Sequence, residues 1–169
     1  MELQLKPISK GGIPAAISKA AVYRYLNEPG EAESICRDIL TIEPDHQEAL
    51  RMLGLAITDQ FKGDASDRYV EASGIFQRLG DEYQRIYHLG LLDERRAKTQ
   101  LKKGIPPHTV LPTFEKAMDY FERAASIRPT DNDDAILRWN RCVRLLQSRL
   151  GPEWRKEMEE FDASEGPPV

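Results

Sequence analysis

A string of small and apolar residues that ends in a proline occurs twice in this chain, and the second copy begins 85 residues after the first. The matching positions are Ala32, Cys36, Ile39, Ile42 and Pro44 in the first copy and Ala117, Phe121, Ala124, Ile127 and Pro129 in the second. Spacings of three and four residues place the apolar members on one face of an α-helix, and the proline ends that helix. The chain therefore predicts a repeated helical unit, with a partial third copy at Ala72, Phe76 and Leu79.

Apolar residues recur at helical spacing through most of the remaining chain, and turns with proline or glycine separate the helices. The pattern predicts a second helix at about 30–43, a third capped by Asp45, and a long fifth helix over 81–103 whose last two turns are solvated. Three prolines and a glycine in 104–112 predict a non-helical insertion. Because no segment alternates polar and apolar residues, we expect an all-α chain of about seven helices and a short eighth.

The predicted helices divide the chain into a repeat domain and its flanks. Residues 1–12 end in two glycines and are expected to be a strap or a flexible tail, and residues 13–150 form the helical repeat domain. Residues 151–161 carry Trp154, Met158 and Phe161 on one helical face, which predicts a short capping helix. If that stripe does not reach its own core, it would dock on a second copy and make a homodimer. Residues 162–169 are expected to be disordered.

The repeated string resembles the tetratricopeptide repeat family, in which pairs of antiparallel helices recur. The Leu-Gly pair of the family's first helix is matched at 53–54 and 89–90. The alanine, aromatic and proline series of its second helix is matched by Ala117, Phe121 and Pro129. The resemblance implies an α-solenoid of about three and a half units, whose antiparallel hairpins stack in a right-handed superhelix.

The match to this family is divergent. The interval between copies is 40 residues from Ala32 to Ala72 and 45 from Ala72 to Ala117, against about 34 in a regular array. Insertions are expected at "KGDASD" and "KKGIPPHTVLP". Cys36 stands where an aromatic residue is usual and Trp139 where a small one is, so the last unit is expected to be a modified cap.

The resemblance also implies a concave groove, lined by the first helix of each pair, that binds an extended peptide or a helix of another protein. The residues of these helices that point away from the neighbouring helix are the groove candidates. They are Arg24, Tyr25, Arg51, Leu55, Asp59, Tyr87, His88, Leu91, Glu94, Arg95, Asn140 and Arg144. They mix aromatic, aliphatic and charged side chains, which suits a peptide ligand. The expected function is a scaffold or adaptor that binds another protein.

A nucleic-acid or polyanion binder is the alternative function. Two helical stretches are rich in basic residues, 94–103 and 138–149, and the second carries Arg138, Arg141, Arg144 and Arg149. Rows of arginine can hold phosphates. The net charge of −4 and the absence of interleaved aromatic residues disfavour this alternative.

The sequence contains no recognised catalytic or metal-binding motif. His46, His88 and His108 lie in separate segments, and Cys36 and Cys142 have no second ligand at metal-binding spacing. We therefore expect no enzyme activity, no metal and no cofactor. No apolar run approaches the length of a membrane span, and the start of the chain lacks a signal-peptide pattern, so a cytoplasmic protein without membrane contact is expected.

Overall fold

The computed structural model describes residues 3–62 and 66–150, and these residues form an all-α fold without strands. A short 3-10 turn, Lys10–Gly12, leads directly into the first helix. The seven helices are α1 Ile13–Tyr25, α2 Pro29–Ile42, α3 Gln47–Asp59, α4 Ser66–Gln77, α5 Glu82–Lys102, α6 Pro107–Ser126 and α7 Asp134–Leu150. The predicted fold class is thereby confirmed. The predicted capping helix at 151–161, the tail at 162–169 and the dimer stripe of Trp154, Met158 and Phe161 lie outside the described residues.

The helices pack in chain order. Each helix contacts the next one, and α1 with α3, α3 with α5, and α5 with α7 make additional contacts. Short connections between consecutive helices make them antiparallel neighbours. The odd-numbered helices therefore form one layer of the molecule and the even-numbered helices form the other.

Two glycines allow the helices of a pair to approach closely. A Cβ atom on Gly54 of α3 would lie 2.3 Å from Cε1 of Phe76 in α4, and one on Gly90 of α5 would lie 2.9 Å from Cε1 of Phe121 in α6. Both phenylalanines are fully buried. The same glycine-to-phenylalanine packing thus holds together two successive helix pairs, α3 with α4 and α5 with α6.

The prediction of a non-helical 104–112 insertion is wrong, because α6 begins at Pro107 and includes Pro112. Pro107 occupies the first helical turn, where no backbone N–H is needed for the helix. Val110 and Leu111 are buried with Ala97 of α5, and this burial offsets the backbone hydrogen bond that Pro112 cannot make.

Two further sequence predictions are corrected by the structure. The side chain of His46, not Asp45, caps α3, with 3.2 Å between its Nδ1 and the amide N of Ala49. The last turns of α5 are not a solvated extension, because Ala97 is fully buried and Leu101 packs against the same cluster. Because this stretch is rich in polar residues, its packing against α6 was not predicted from the sequence.

Candidate functional site

The odd-numbered helices line a groove of about 820 Å³. Its walls come from α1, α3, α5 and α7 and from the turn between α4 and α5. The lining residues are Arg24, Gln47, Glu48, Arg51, Leu55, Leu79, Gly80, Asp81, Tyr83, Gln84, Tyr87, His88, Leu91, Arg95, Asp134 and Arg138. A groove of this size accommodates several residues of an extended peptide.

A carboxylate ties three of the groove helices together at one end. Asp59 of α3 accepts a hydrogen bond from Nε of Arg24 in α1 at 2.7 Å and another from Nη1 of Arg95 in α5 at 2.5 Å. Arg95 also donates to the backbone oxygen of Leu55 at 3.2 Å and to the hydroxyl of Thr58. Arg95 is therefore a structural tie between α3 and α5, and its burial lowers its pKa despite the charge of Asp59.

Two further arginines, Arg51 and Arg138, line the groove. Arg51 of α3 has a long ion pair with Glu48, with 3.9 Å between Nη2 and Oε1, and its side chain is 36% exposed. Arg138 of α7 hydrogen-bonds to Tyr87 and lies 3.5 Å from Oε2 of the buried Glu94. Burial lowers the pKa of Arg138, but the contacts with Tyr87 and Glu94 outweigh burial and leave the pKa above its ordinary value. Of the four arginines that line the groove, Arg51 has the weakest interactions with other side chains.

His88 is a buried helix histidine on the groove floor. Its Nδ1 lies 2.6 Å from the backbone oxygen of Gln84, and its ring packs against those of Phe76 and Tyr87. Since a carbonyl oxygen only accepts, Nδ1 carries the proton of this hydrogen bond. Burial lowers the pKa of His88 to about 4, and the charges of Arg51, Arg95 and Arg24 also lower it. The imidazole is therefore neutral at pH 7 and lies in a positive electrostatic potential.

The acidic lining residues lie at the helix starts. Asp81 caps α5 and accepts a hydrogen bond from the amide N of Gln84 at 2.7 Å. Glu48 and Asp134 lie in the first turns of α3 and α7. The positive end of a helix dipole partly offsets such charges. The groove thus has an acidic rim at its helix starts and a basic interior.

Seven of the twelve predicted groove residues line the groove: Arg24, Arg51, Leu55, Tyr87, His88, Leu91 and Arg95. Asp59 lies beside it through its bonds to Arg24 and Arg95. The remaining four do not line it, and their placement corrects the expectation. Glu94 is fully buried and paired with Lys98 and Arg138, and Tyr25 is 93% exposed at the end of α1.

Asn140 and Arg144 were expected in the groove but lie on other faces of α7. Asp134 and Arg138 of that helix line the groove, whereas Asn140 and Arg144 are rotated about the helix axis from Arg138 by about 160° and about 120°. Sequence reasoning missed the lining residues one turn before Arg51 and Tyr87, namely Gln47 and Tyr83. The spacing of four residues from the identified positions is the signal that could have found them.

The basic residues of the alternative interface do not form one surface. Arg138 and Arg95 line the groove, whereas Arg141 is exposed and does not line it. Arg96 packs over the ring of Tyr69, 4.4 Å from the ring centre, and Lys98 pairs with Glu94. Most of the basic groups in 94–103 thus have partners within the fold.

The described residues offer no group of three or more side chains that could hold a metal ion. Both cysteines are buried, and burial raises the pKa of the Cys36 and Cys142 thiols to about 12, which keeps them protonated at neutral pH. None of the helices in the described ranges combines the length and apolarity needed to cross a membrane. Comparisons of the chain with protein-family models, curated proteins and solved structures found no match.

Proposed function

We propose that this chain is a protein-interaction module whose groove binds an extended peptide or a helix of a partner protein. The observation that carries the proposal is the convergence of four helices on one open groove that presents arginines, tyrosines and leucines together. Arginine and tyrosine are enriched at binding hot spots because they combine apolar contact area with hydrogen bonding. Leu55 and Leu91 supply buried apolar surface between the charged groups.

The resemblance to tetratricopeptide repeats adds support to this proposal. The Gly54–Phe76 and Gly90–Phe121 contacts recur at positions that the family pattern assigns to close helix packing. The groove is lined by the first helix of each pair, which is the surface such repeats use for ligands. We accordingly propose a divergent repeat scaffold rather than an enzyme, acting in the cytoplasm.

Capture of a partner from a lysate of the source organism tests the proposal, with Arg51→Glu plus Tyr87→Phe as the groove variant. Arg51 is chosen because its one ion pair is long, and Tyr87→Phe keeps the ring that packs in the core. The matched control carries the same types of change outside the groove, Arg141→Glu plus Tyr25→Phe. Arg95 is left unchanged, because it holds α3 and α5 together.

The proposal expects a protein that wild type and the control retain and the groove variant loses, with equal helicity by circular dichroism in all three. Equal retention by the groove variant would refute the groove as the binding surface. Capture of nucleic acid, abolished by moderate salt, would favour the polyanion alternative.

A further inference from the structure

The excess negative charge of the chain lies in the residues that follow α7. Residues 151–169 contain six acidic and two basic residues, a net charge of −4, which equals the net charge of the whole chain. Residues 1–150 therefore carry no net charge. Four of the acidic residues fall within 157–162, where they are interleaved with Met158 and Phe161.

The groove interior has the complementary chemistry. Arg24 and Arg95 share a single carboxylate, Asp59, and so leave one positive charge between them. Arg51 also lies in the groove, 3.9 Å from Glu48, and the lining carboxylates Glu48, Asp81 and Asp134 lie at the helix starts rather than in the interior. Leu55 and Leu91 also line the groove, and each is nearly buried. A segment rich in carboxylates matches the arginines of the groove interior in charge.

The acidic segment is also within reach of the groove. Arg138 lines the groove, and α7 continues from it to Leu150, a distance of about 18 Å at the rise of an α-helix. The chain from residue 151 to Glu157 spans up to about 24 Å when extended. Glu157 and the carboxylates after it can therefore return to the level of Arg138 and continue toward Arg51.

We propose that residues 157–165 of this chain occupy the groove and compete there with the external peptide ligand. The inference rests on the proposed peptide-binding function of the same groove. A short tether gives the segment an effective concentration in the millimolar range. A segment whose dissociation constant is about 0.1 mM would then weaken binding of an external ligand by about tenfold. The groove is thereby autoinhibited, and a partner must be more acidic or more apolar than the segment to displace it.

The test compares the full-length wild type with a full-length variant whose segment is neutralised by Glu157→Gln, Glu159→Gln, Glu160→Gln and Asp162→Asn. The probe is a fluorescent peptide with the sequence of residues 153–165, followed by anisotropy. We expect the neutralised chain to bind the probe about tenfold more tightly than wild type. Adding Arg51→Glu to the neutralised chain should abolish binding, whereas adding Arg141→Glu should not.

Equal probe affinity of wild type and the neutralised chain, or no binding by the neutralised chain, would overturn the inference. Analytical ultracentrifugation at the assay concentrations distinguishes a segment that occupies the groove of its own chain from one that occupies the groove of a second copy. A wild-type dimer that dissociates when the probe binds would place the segment in the groove of a second copy and overturn occupation within one chain. If the inference fails while Arg51→Glu plus Tyr87→Phe still loses a captured partner, the proposed function stands without autoinhibition.

Discussion

At the scale of single residues, the closest helix packing depends on two glycines whose hydrogen atoms face aromatic rings. Gly54 is the tighter position, since an added Cβ would meet three atoms of the Phe76 ring within 2.8 Å. A glycine in a helix costs about 1 kcal/mol relative to alanine, so its presence here is explained by packing rather than by helix propensity. The Leu-Gly pattern in the sequence made this position predictable.

The variant Gly54→Ala is expected to lower the free energy of unfolding by about 2–3 kcal/mol, because overpacking the Phe76 contact outweighs the gain in helix propensity. Gly74→Ala is the matched control. A Cβ at Gly74, which also lies in a helix, would meet nothing within 4 Å, so this change should stabilise by about 0.5–1 kcal/mol. Urea denaturation of both variants measures the difference. Equal effects of the two changes would refute the packing role of Gly54.

The buried His88 makes stability depend on pH. Its pKa is lowered from 6.5 to about 4 in the folded protein, so the unfolded chain takes up a proton first as pH falls. The folded state is therefore favoured fully above pH 6.5 and loses up to about 3 kcal/mol as pH falls from 6.5 to 4.

Replacing His88 with phenylalanine should make the free energy of unfolding depend less on pH between pH 6.5 and 4.5. Phenylalanine keeps an aromatic ring at this position but has no titratable group. Chemical denaturation at a series of pH values measures the slope. His108→Gln removes an exposed histidine and serves as the control. The prediction fails if His88→Phe keeps the wild-type slope.

At the scale of helices, an ion-pair network links α2 to the end of α3 and to α4. Glu33 accepts hydrogen bonds from Arg68 at 2.5 Å, from Arg37 at 2.6 Å and from Gln60 at 2.6 Å. Burial raises the pKa of Glu33, but these hydrogen bonds outweigh burial and lower the pKa from 4.5 to about 2. The contacts with Arg68 and Gln60 could not be predicted from sequence, because they join residues 35 and 27 positions apart, whereas Arg37 lies only four positions from Glu33 in the same helix.

Glu33→Gln should destabilise the protein by about 1–2 kcal/mol at pH 7, a value reduced for solvent screening because the arginine partners are partly exposed. The folded-state pKa lies below the ordinary value, so the contribution is present above pH 4.5 and is lost between pH 4.5 and 2. The difference in unfolding free energy between wild type and Glu33→Gln should shrink in that range. Glu122→Gln, at an exposed position, is the control. A pH-independent difference would contradict the assignment.

The sixth helix shows where local sequence rules fail. Three prolines predicted a loop at 104–112, yet Pro107 and Pro112 both lie within α6. The prediction counted only the free-energy cost of a proline within a helix. The burial of Val110 and Leu111 against α5 depends on tertiary contacts, which a local sequence pattern does not contain. Helix type and order were predictable from periodicity, and so were the ends of α2 and α5 to within one residue, but the start of α6 at Pro107 was not.

Pro112→Ala should stabilise the protein by about 1–2 kcal/mol, because alanine restores a backbone hydrogen bond within α6. Pro107→Ala is the control and should be nearly neutral, since proline suits the first turn of a helix. Thermal unfolding of both variants measures the effect. Destabilisation by Pro112→Ala would mean that the proline ring contributes packing that outweighs its backbone cost.

At the scale of the whole molecule, the alternation of helix layers explains the groove. Seven of the residues that the repeat pattern assigns to a binding groove line the groove of the odd-numbered helices. The hydrogen-bond and ion-pair partners of the groove residues could not be predicted from the sequence. Asp59 bonds to residues 35 and 36 positions away, and Glu94, which was predicted to line the groove, is fully buried beside Lys98 and Arg138.

Site-specific photo-crosslinking with the captured partner shows whether the partner contacts the groove or the opposite layer of helices. A photo-reactive residue is placed in turn at Arg51 and Gln84, in the groove, and at Gln77 and Glu122, exposed on even-numbered helices. Crosslinks to the partner are expected from positions 51 and 84, and none are expected from positions 77 and 122. Crosslinks from the even-numbered helices alone would contradict this expectation and place the binding surface on the opposite layer.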